Sequence, residues 1–344
     1  MKLLHYTFIF VLLTVSINGF SQNDTIRSII VELKPITTLA TVTSTATVTA
    51  KTKPEMPLIY LSHWQSKNTI GLDLNEIAFV NWNAGGTSSI SGLLKGNFLR
   101  IHTRDKTEWA NELIVQYGIN KQDGLAIRKS DDEFRFNSTF GYRKDTLTNW
   151  YHSAKFNFNT QFTNGYKYPN TDSPISKPFA PAYTFVGYGA NYFDKIKKFD
   201  VYISPLTFKS TLVLDQTLAN NGAFGVKKAI YDAEGNLISK GEKSRTEIGF
   251  LVTNYYKKEV WKNIILENRL SLYSDYINNF GNIDVEWRVN FDLVVNRYVR
   301  ANIGTHLIYD DDIKTTEEIN GTQVQKGAKV QLKQVLGVGL VYVI

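Results

Sequence analysis

Residues 283–295 read IDVEWRVNFDLVV, and this stretch decides the fold class. Alternate positions from Val285 to Val295 are apolar, and the positions between them, from Asp284 to Asp292, are charged or amide side chains. Successive side chains of a strand point to opposite faces, so the pattern predicts a strand with one apolar and one charged face. A soluble sheet can show this pattern, but a two-faced strand of about 10 residues also suits a membrane barrel.

From residue 67 onward the chain divides into about twelve strand-like runs, and no convincing amphipathic helix lies between them. Gaps between runs alternate in length: short gaps such as 103–106 alternate with longer ones such as 121–132 and 214–244. Outer-membrane barrels combine short periplasmic turns with longer external loops, whereas a soluble sandwich has no reason to do so. The sequence therefore predicts an all-β fold, a transmembrane antiparallel up-and-down barrel of about 12 strands. The predicted runs are 67–80, 88–102, 107–120, 133–144, 150–163, 182–194, 199–213, 245–257, 262–274, 283–295, 299–310 and 333–344.

Aromatic residues support the same orientation. Membrane barrels carry aromatic side chains at both water interfaces. Five aromatic residues each fall just after a short turn, which predicts one ring of them at the periplasmic rim. They are Trp109, Trp150, Phe199, Trp261 and Tyr298.

The N-terminal residues 1–21 have the pattern of a cleaved secretory signal peptide. Lys2 supplies a positive charge, an apolar segment follows, and Gly19-Phe20-Ser21 offers a small-x-small cleavage site. Residues 22–66 are predicted to form a Thr-rich periplasmic leader, and 67–344 the barrel. The absence of cysteine excludes disulfides, thiolate metal sites and a lipoprotein anchor. The expected location of the mature chain is the outer membrane.

The last run, 333–344, is typical of the C-terminal strand by which outer-membrane barrels are recognised for insertion. Leu336, Val338 and Leu340 share one face of it. The expected partners are therefore the barrel-assembly machinery, outer-membrane lipid and lipopolysaccharide. A formal charge of +7 would also suit a nucleic-acid ligand, but lysine and arginine are scattered over turns and strand faces, so no nucleic-acid partner is predicted.

The sequence offers no catalytic pattern. The mature histidines are widely separated, and there is no Gly-x-Ser-x-Gly elbow, His-Glu-x-x-His pair or phosphate loop. His306 and Asp310 would face the lumen on one strand, but their Cα atoms would be about 13 Å apart, too far for a direct dyad. Asp310-Asp311-Asp312 could hold a cation, although acidic rims are more often simply solvated. No catalytic residue, cofactor or metal is predicted, and the protein is not expected to be an enzyme.

The inward faces of neighbouring strands carry opposite charges at high density. Unpaired charges on a low-dielectric wall are costly, so these groups should pair and narrow the bore. The predicted function is a narrow pore or a small-ligand barrel that passes at most small ions or a small solute. A lipid-modifying barrel enzyme and a structural or adhesive envelope protein remain as alternatives. The predicted lumen network comprises Glu267, Arg269, Glu286, Arg288, Arg300 and His306, with Lys155, Asn157, Asn159 and Gln161 on the opposite wall.

Several short motifs resemble one known family. Asn81-Trp82-Asn83-Ala84-Gly85-Gly86 at the first external turn is the most specific of them, and Ser204-Pro205-Leu206-Thr207-Phe208-Lys209 and Asp215-Gln216-Thr217-Leu218 add to it. With these motifs the chain resembles the outer-membrane proteins of Bacteroidota-type bacteria grouped as domain of unknown function 3078. The resemblance implies the location and the barrel shape, and it supplies no activity or catalytic residues. In structural terms, Gly85 and Gly86 predict a turn with positive φ, Trp82 an interface anchor, and Pro205 a bulge.

Overall fold

The structure, a computed structural model, describes residues 62–79, 86–278, 280–319 and 322–343. These residues form a closed antiparallel barrel of twelve strands, so the predicted fold class is confirmed. Each strand pairs with its neighbours in the chain, and the last strand closes the ring against the first, from Thr69 with Val343 to Leu74 with Val338. In chain order the barrel strands are β1 (Trp64–Ile77), β2 (Ser89–Arg104), β3 (Thr107–Gln122), β4 (Arg128–Tyr142), β5 (Trp150–Thr160), β6 (Ala182–Asp194), β7 (Phe199–Leu212), β8 (Ser244–Trp261), β9 (Ile264–Asp275), β10 (Asp284–Val294), β11 (Val299–Tyr309) and β12 (Gln331–Val343).

The N-terminal predictions fall largely outside this range. The predicted signal peptide, 1–21, and the predicted leader as far as residue 61 lie outside the described residues. Within the described chain, β1 begins at Trp64, slightly before the predicted barrel start at 67. No helix among the described residues is long and apolar enough to cross a membrane.

The two faces of the strands separate apolar from charged side chains. In β10, Trp287 is 44% exposed on the outside of the ring, whereas Glu286 and Arg288 on either side of it form ion pairs inside the ring. The closed ring also leaves no strand edge unpaired. The barrel therefore meets both conditions for spanning a membrane with strands, an apolar outer band and internally satisfied backbone groups. Exposed apolar side chains on the outer face of other strands include Leu72, Leu94, Ile119, Phe140, Val186, Leu206, Phe250, Ile303, Val338 and Leu340.

One polar residue, Asn268, interrupts the apolar face of β9 and does point outward. Its side-chain oxygen accepts a hydrogen bond from Trp287 Nε1 at 2.7 Å, and its amide donates to Asn254 Oδ1 at 2.9 Å. Asn254 in turn donates to the backbone oxygen of Asp200 at 3.1 Å. Because each of these amides has a partner on the barrel, they can face lipid without an unsatisfied polar group.

The connections alternate in length, as the sequence predicts. One end of the barrel, here called the turn end, carries the short connections, and the other, the loop end, carries most of the longer ones. The predicted long loop 121–132 is an exception, and that prediction is wrong: β3 and β4 extend into this segment and pair there, with Asn120 opposite Arg128, so the connection is only 123–127. Strand pairing rests on the backbone and needs no apolar face, so polar residues extend this hairpin. The turns are 105–106, 143–149, 195–198, 262–263 and 295–298, and the loops are 78–88, 123–127, 161–181, 213–243, 276–283 and 310–330.

The predicted bulge at Pro205 is confirmed. The register of β7 shifts against both neighbouring strands at this point, so that Leu251 pairs with Ser204 and Gly249 with Thr207. Pro205 has no backbone N–H to donate, and the bulge is where a strand tolerates that loss. Because the extra residue resets the alternation, both Ser204 and Thr207 are buried on the inner side of the barrel.

Loops at the loop end form a small packed layer. Five apolar residues from two loops make a buried cluster: Ala180, Val213, Leu218, Ala219 and Val226. The loop 213–243 contains the helix α1 (Gln216–Asn220), a 3₁₀ turn (Ala223–Gly225) and a short strand pair, Ile230–Tyr231 with Leu237–Ser239. Two further strand pairs, Gly165–Tyr166 with Pro174–Ser176 and Lys314–Ile319 with Thr322–Ala328, lie in the loops 161–181 and 310–330.

Candidate functional site

The centre of the lumen is crossed by ion pairs that join opposite walls. Strands β3 and β9 stand opposite each other in the ring, as do β4 and β10. Arg269 on β9 forms two hydrogen bonds of 2.9 Å to the carboxylate of Glu112 on β3. Arg288 on β10 reaches Glu133 on β4 at 2.9 and 3.0 Å. Two-point pairs of this kind fix the geometry of both groups, so ion-paired side chains cross the bore at this level.

Further contacts join these pairs into one layer. Arg135 bridges Glu133 at 3.0 Å and Glu286 on the opposite wall at 2.7 Å. Glu286 also accepts from Arg288 Nε at 3.0 Å. Lys257 and Arg269 both bind Glu267. Four carboxylates thus meet four cations, and we call this set the central layer: Glu112, Glu133, Arg135, Lys257, Glu267, Arg269, Glu286 and Arg288.

The structure brings together five of the six residues predicted for the lumen network. Glu267, Arg269, Glu286 and Arg288 belong to the central layer, and His306 Nε2 lies 3.2 Å from Glu286 Oε1. Arg300 differs. Within the described part of the chain it forms no ion pair, and its Nε has no hydrogen-bond partner.

Most residues predicted for the opposite wall contact groups other than the arginines of the lumen network. Asn157 bonds to Asn137 on its own wall, Gln161 to the backbone of Lys177, and Lys155 to Asp200 at 3.4 Å, so none of them meets the arginines. Glu112 and Glu133 meet those arginines instead, and Arg135 meets Glu286. Their inward position follows from strand alternation, but their choice of partner depends on how the ring closes.

His306 and Asp310 do not meet, as their predicted separation requires. His306 contacts Glu286, whereas Asp310 lies nearer the loop end, 3.8 Å from Lys209 Nζ. His306 therefore takes part in the ion-pair layer rather than in a histidine–aspartate pair.

A second charged cluster lies between the central layer and the loop end. Lys209 Nζ is 2.8 Å from Asp284 and 3.3 Å from Glu247, and Arg245 is 2.6 Å from Asp312. Carboxylate oxygens of Asp284, Asp310 and Asp312 lie within 4.8 Å of one another, a spacing that would also suit a cation. Lys209 and Arg245 already neutralise these same carboxylates, so the cluster gives no separate indication of a metal ion.

A chamber of about 360 Å³ occupies the lumen between the central layer and the turn end. Arg269, Glu112 and Glu286 form its roof. Near the turn end, Glu108 on β3 is bridged by Lys195, from the turn after β6, at 2.7 Å. The walls of the chamber also include Leu99, Ile101, Ala110, Ser153, Lys155, Phe185, Phe193, Asn191, Asp200, Leu251 and Thr253.

The five predicted rim aromatics all lie at the turn end. Trp109, Trp150, Trp261 and Tyr298 are each at least 42% exposed, and Phe199 is half-buried. Further aromatic rings extend this set around the barrel: the centroid of Trp64 lies 5.8 Å from that of Trp109, and that of Tyr192 5.2 Å from that of Trp150. The arrangement is that of an aromatic girdle at a membrane interface.

The first external motif is described only in part. Asn81, Trp82 and Gly85 lie outside the described residues. Gly86 is described, and its φ of 135° lies in the region that favours glycine, as predicted for the turn. A Cβ built on Gly86 would fall 2.5 Å from the Phe79 ring.

The loop 213–243 is fixed by its own polar contacts and reaches across the barrel mouth. Asp215 accepts from Leu218 N at the start of α1 and forms an ion pair of 2.6 Å with Lys177. Further along, a Cβ built on Gly225 would lie 3.4 Å from the Cβ of Asp312, beyond the end of β11. The loop thus spans from β7 and β8 to the residues that follow β11.

Replacing Asp215 with alanine (D215A) should open this loop. It removes a helix cap and an ion pair, and loss of a cap costs about 1 kcal/mol, or roughly a fivefold larger open population. The hydrogen bond from Lys177, the bond from Leu218 and the positive charge of Lys177 lower the pKa of Asp215 below its ordinary value. Its stabilising effect is therefore complete above about pH 4 and is lost as the pH falls through the lowered pKa.

The measurement is hydrogen exchange of the loop amides, corrected for the intrinsic pH dependence. We expect faster exchange in D215A than in wild type at pH 7, and a difference that shrinks as the pH falls below about 4. Exposed Glu234 lies in the same loop and provides a matched control, E234A. Equal exchange in D215A and E234A at pH 7 would show that the cap does not hold the loop.

Part of the chain matches a known protein family. Residues 74–166 match the model of the family described as protein of unknown function DUF3078. The resemblance seen in the sequence is thus confirmed over this segment, which includes the turn at Gly86 and extends through β2–β5. The other two motifs, at 204–209 and 215–218, lie outside the matched residues. No match was found among curated proteins.

Solved structures similar to this chain are membrane barrels, at low identity. The COG4313 outer membrane channel from Pseudomonas putida F1 is 11% identical, with a TM-score of 0.38, covering 81% of this chain and 95% of the other. The translocator domain of the autotransporter NalP from Neisseria meningitidis is 9% identical, with a TM-score of 0.34, covering 83% and 89%. The NanC porin is 9% identical, with a TM-score of 0.32, covering 80% and 98%. Likeness at this level says nothing about activity.

Proposed function

We propose that the protein is a non-enzymatic outer-membrane pore of restricted bore, which passes small ions or small solutes only when the central layer rearranges. Its apolar outer face and its girdle of aromatic residues support membrane insertion. The turn end would face the periplasm and the loop end the exterior, because outer-membrane barrels place their short connections on the periplasmic side.

The observation that carries the proposal is the direct contact between opposite walls. A barrel of twelve strands lies between small barrels filled by side chains and porins with an open channel, so strand number alone leaves the bore undecided. Here Arg269 with Glu112, and Arg288 with Glu133, span the full bore. A solute can pass only if these pairs separate or shift, which makes them a gate.

The charge balance of the layer favours a gate over a permanently charged filter. A ring of like charges selects ions by sign, whereas four carboxylates matched by four cations present no net charge to a passing ion. Breaking such pairs costs several kcal/mol, because each leaves a charge in a poorly solvated wall. The closed state should therefore predominate.

The test uses folded protein extracted from the outer-membrane fraction and incorporated into planar lipid bilayers. We expect small, infrequent conductance steps in the wild type, far below those of a general porin. Steady large conductance would show that the central layer does not close the bore. Recovery of the native protein in the soluble periplasmic fraction would contradict the membrane location itself.

A further inference from the structure

The chamber between the central layer and the turn end is bounded above and below by ion pairs. Its roof is the Arg269–Glu112 contact, and near the turn end Lys195 reaches Glu108 at 2.7 Å. These two boundaries differ in exposure: the side chain of Lys195 is 53% exposed, whereas that of Arg269 is 24% exposed. Exposed pairs contribute little and break readily, so access to the chamber is easier from the turn end.

The walls of the chamber are of two kinds. Leu99 and Ile101 on β2, with Ala110 on β3, form an apolar side, and Phe185 on β6 and Leu251 on β8 line the chamber elsewhere. Lys155, Asn191 and Asp200, on β5 to β7, form a polar side. A cavity with an apolar side and a few polar groups is typical of sites for small organic molecules, and about 360 Å³ lies at the small end of their size range.

Unmet hydrogen bonds mark the polar side. The hydroxyl of Ser153 and the side-chain oxygen of Asn191 are buried and have no hydrogen-bond partner among the described residues. Ser153 is 1% exposed and Asn191 6% exposed, and both border the chamber. Buried polar atoms without partners are costly, so a molecule that supplies both a donor and an acceptor here would be stabilised.

The charges of the chamber restrict the kind of molecule. Asp200 is held by Lys155, Glu108 by Lys195, and Glu112 by Arg269. Glu286 is held by Arg135 and Arg288. A charged ligand would have to break one of these pairs to be neutralised, and breaking a buried pair is strongly unfavourable. An uncharged ligand leaves every pair intact.

From the cavity, its two-sided lining and its balanced charges, we infer that the chamber is a binding site for a small uncharged amphipathic molecule. The ligand has an apolar body against β2 and β3 and a hydroxyl or amide group against β5 and β6, and it enters from the turn end. This site depends on the barrel fold but not on the proposed pore function. Binding is measured without conduction, so a failure to bind would not contradict the proposed gate.

Three probes of one shape test the charge requirement: 4-hydroxybenzamide, which is neutral, 4-hydroxybenzoate, which is negative, and 4-hydroxybenzamidine, which is positive. Binding to the barrel in lipid nanodiscs is measured by saturation-transfer NMR, with empty nanodiscs as the baseline. We expect the neutral probe to bind and both charged probes to bind at least about tenfold more weakly, a difference of about 1.4 kcal/mol. Equal binding of all three would overturn the assignment of ligand class.

A filling variant tests the place. Ala110→Phe projects a ring into the chamber from β3, whereas Val115→Phe places the same ring on the outer face of the same strand. A110F should weaken binding of the neutral probe at least about tenfold, and V115F should leave it unchanged. Thr253→Phe fills the chamber from β8 if A110F does not fold, as judged by heat-modifiable migration on gels. Undiminished binding in a folded filling variant, or no binding above the baseline in wild type, would show that the chamber holds water only.

Discussion

Replacing Arg269 and Arg288 together with alanine (R269A/R288A) should open the bore and make it cation-selective. Both arginines reach across the lumen. Their loss removes the contact between β3 and β9 and, among the described residues, leaves the Arg135–Glu286 pair as the ion pair between β4 and β10. Glu112 then loses its arginine partner, and Glu133 keeps Arg135 alone. Planar-bilayer recordings should show conductance steps several times larger than in wild type. Reversal potentials in a salt gradient should show preference for cations, because two positive charges have been removed from a balanced layer. Breaking one such pair should cost about 3 kcal/mol of stability, and thermal melting measures that loss.

The reciprocal change reverses the expected selectivity. Glu112→Gln with Glu133→Gln keeps the side-chain shapes but leaves the arginines in excess, so this variant should prefer anions. Arg300→Ala provides the matched control, because Arg300 faces the lumen but forms no ion pair among the described residues. An R300A variant that conducts and melts like R269A/R288A would show that loss of positive charge alone, rather than loss of the cross-lumen contacts, explains the change.

The sequence predicts the barrel well because its signals are local. The strand 283–295 alternates cleanly, and the structure has a strand at Asp284–Val294 with the predicted faces. Each of the twelve strands overlaps its predicted run, although β4 begins at Arg128, inside the predicted gap 121–132. The physical reason is that a membrane barrel is exposed to lipid on one face and to a polar lumen on the other, so almost every strand carries the same two-residue period.

The sequence pattern is weakest where the lumen is unusual. In the segment 88–102 the alternation is mixed, and the structure shows why: Leu99 and Ile101 point inward and form the apolar side of the chamber. In 199–213 the bulge at Pro205 resets the alternation midway. A mixed pattern in an otherwise regular barrel is therefore a signal in itself, of either a bulge or an apolar site inside the lumen.

The cross-lumen partners could not be derived from sequence. Glu112 and Arg269 are far apart in the chain, and they meet only because the number of strands and their stagger bring them to the same height on opposite walls. Strand alternation establishes that each of these side chains points inward. It gives neither the height of the side chain along the barrel axis nor its angular position around the ring. The same limit explains Arg300, which faces inward as predicted yet reaches no carboxylate of the described residues.

Arginine substitutions on the two faces of β11 test which face of the barrel wall meets lipid. Ile303, near the middle of β11, is 47% exposed and lies between Phe291 and Leu336 on the outer face. Ile303→Arg places a charge against hydrocarbon, which costs about 2–4 kcal/mol near the midplane of a membrane barrel. Its neighbour Asn302 faces the lumen and donates a hydrogen bond to Asp292 at 2.8 Å. An arginine in place of Asn302 would have this carboxylate as an ion-pair partner, so Asn302→Arg should be tolerated. Urea titrations of the refolded barrel in lipid vesicles compare the two variants. A loss of the same size in I303R and N302R would mean that both faces are equally buried, as in a soluble sandwich, and would contradict the lipid-facing assignment.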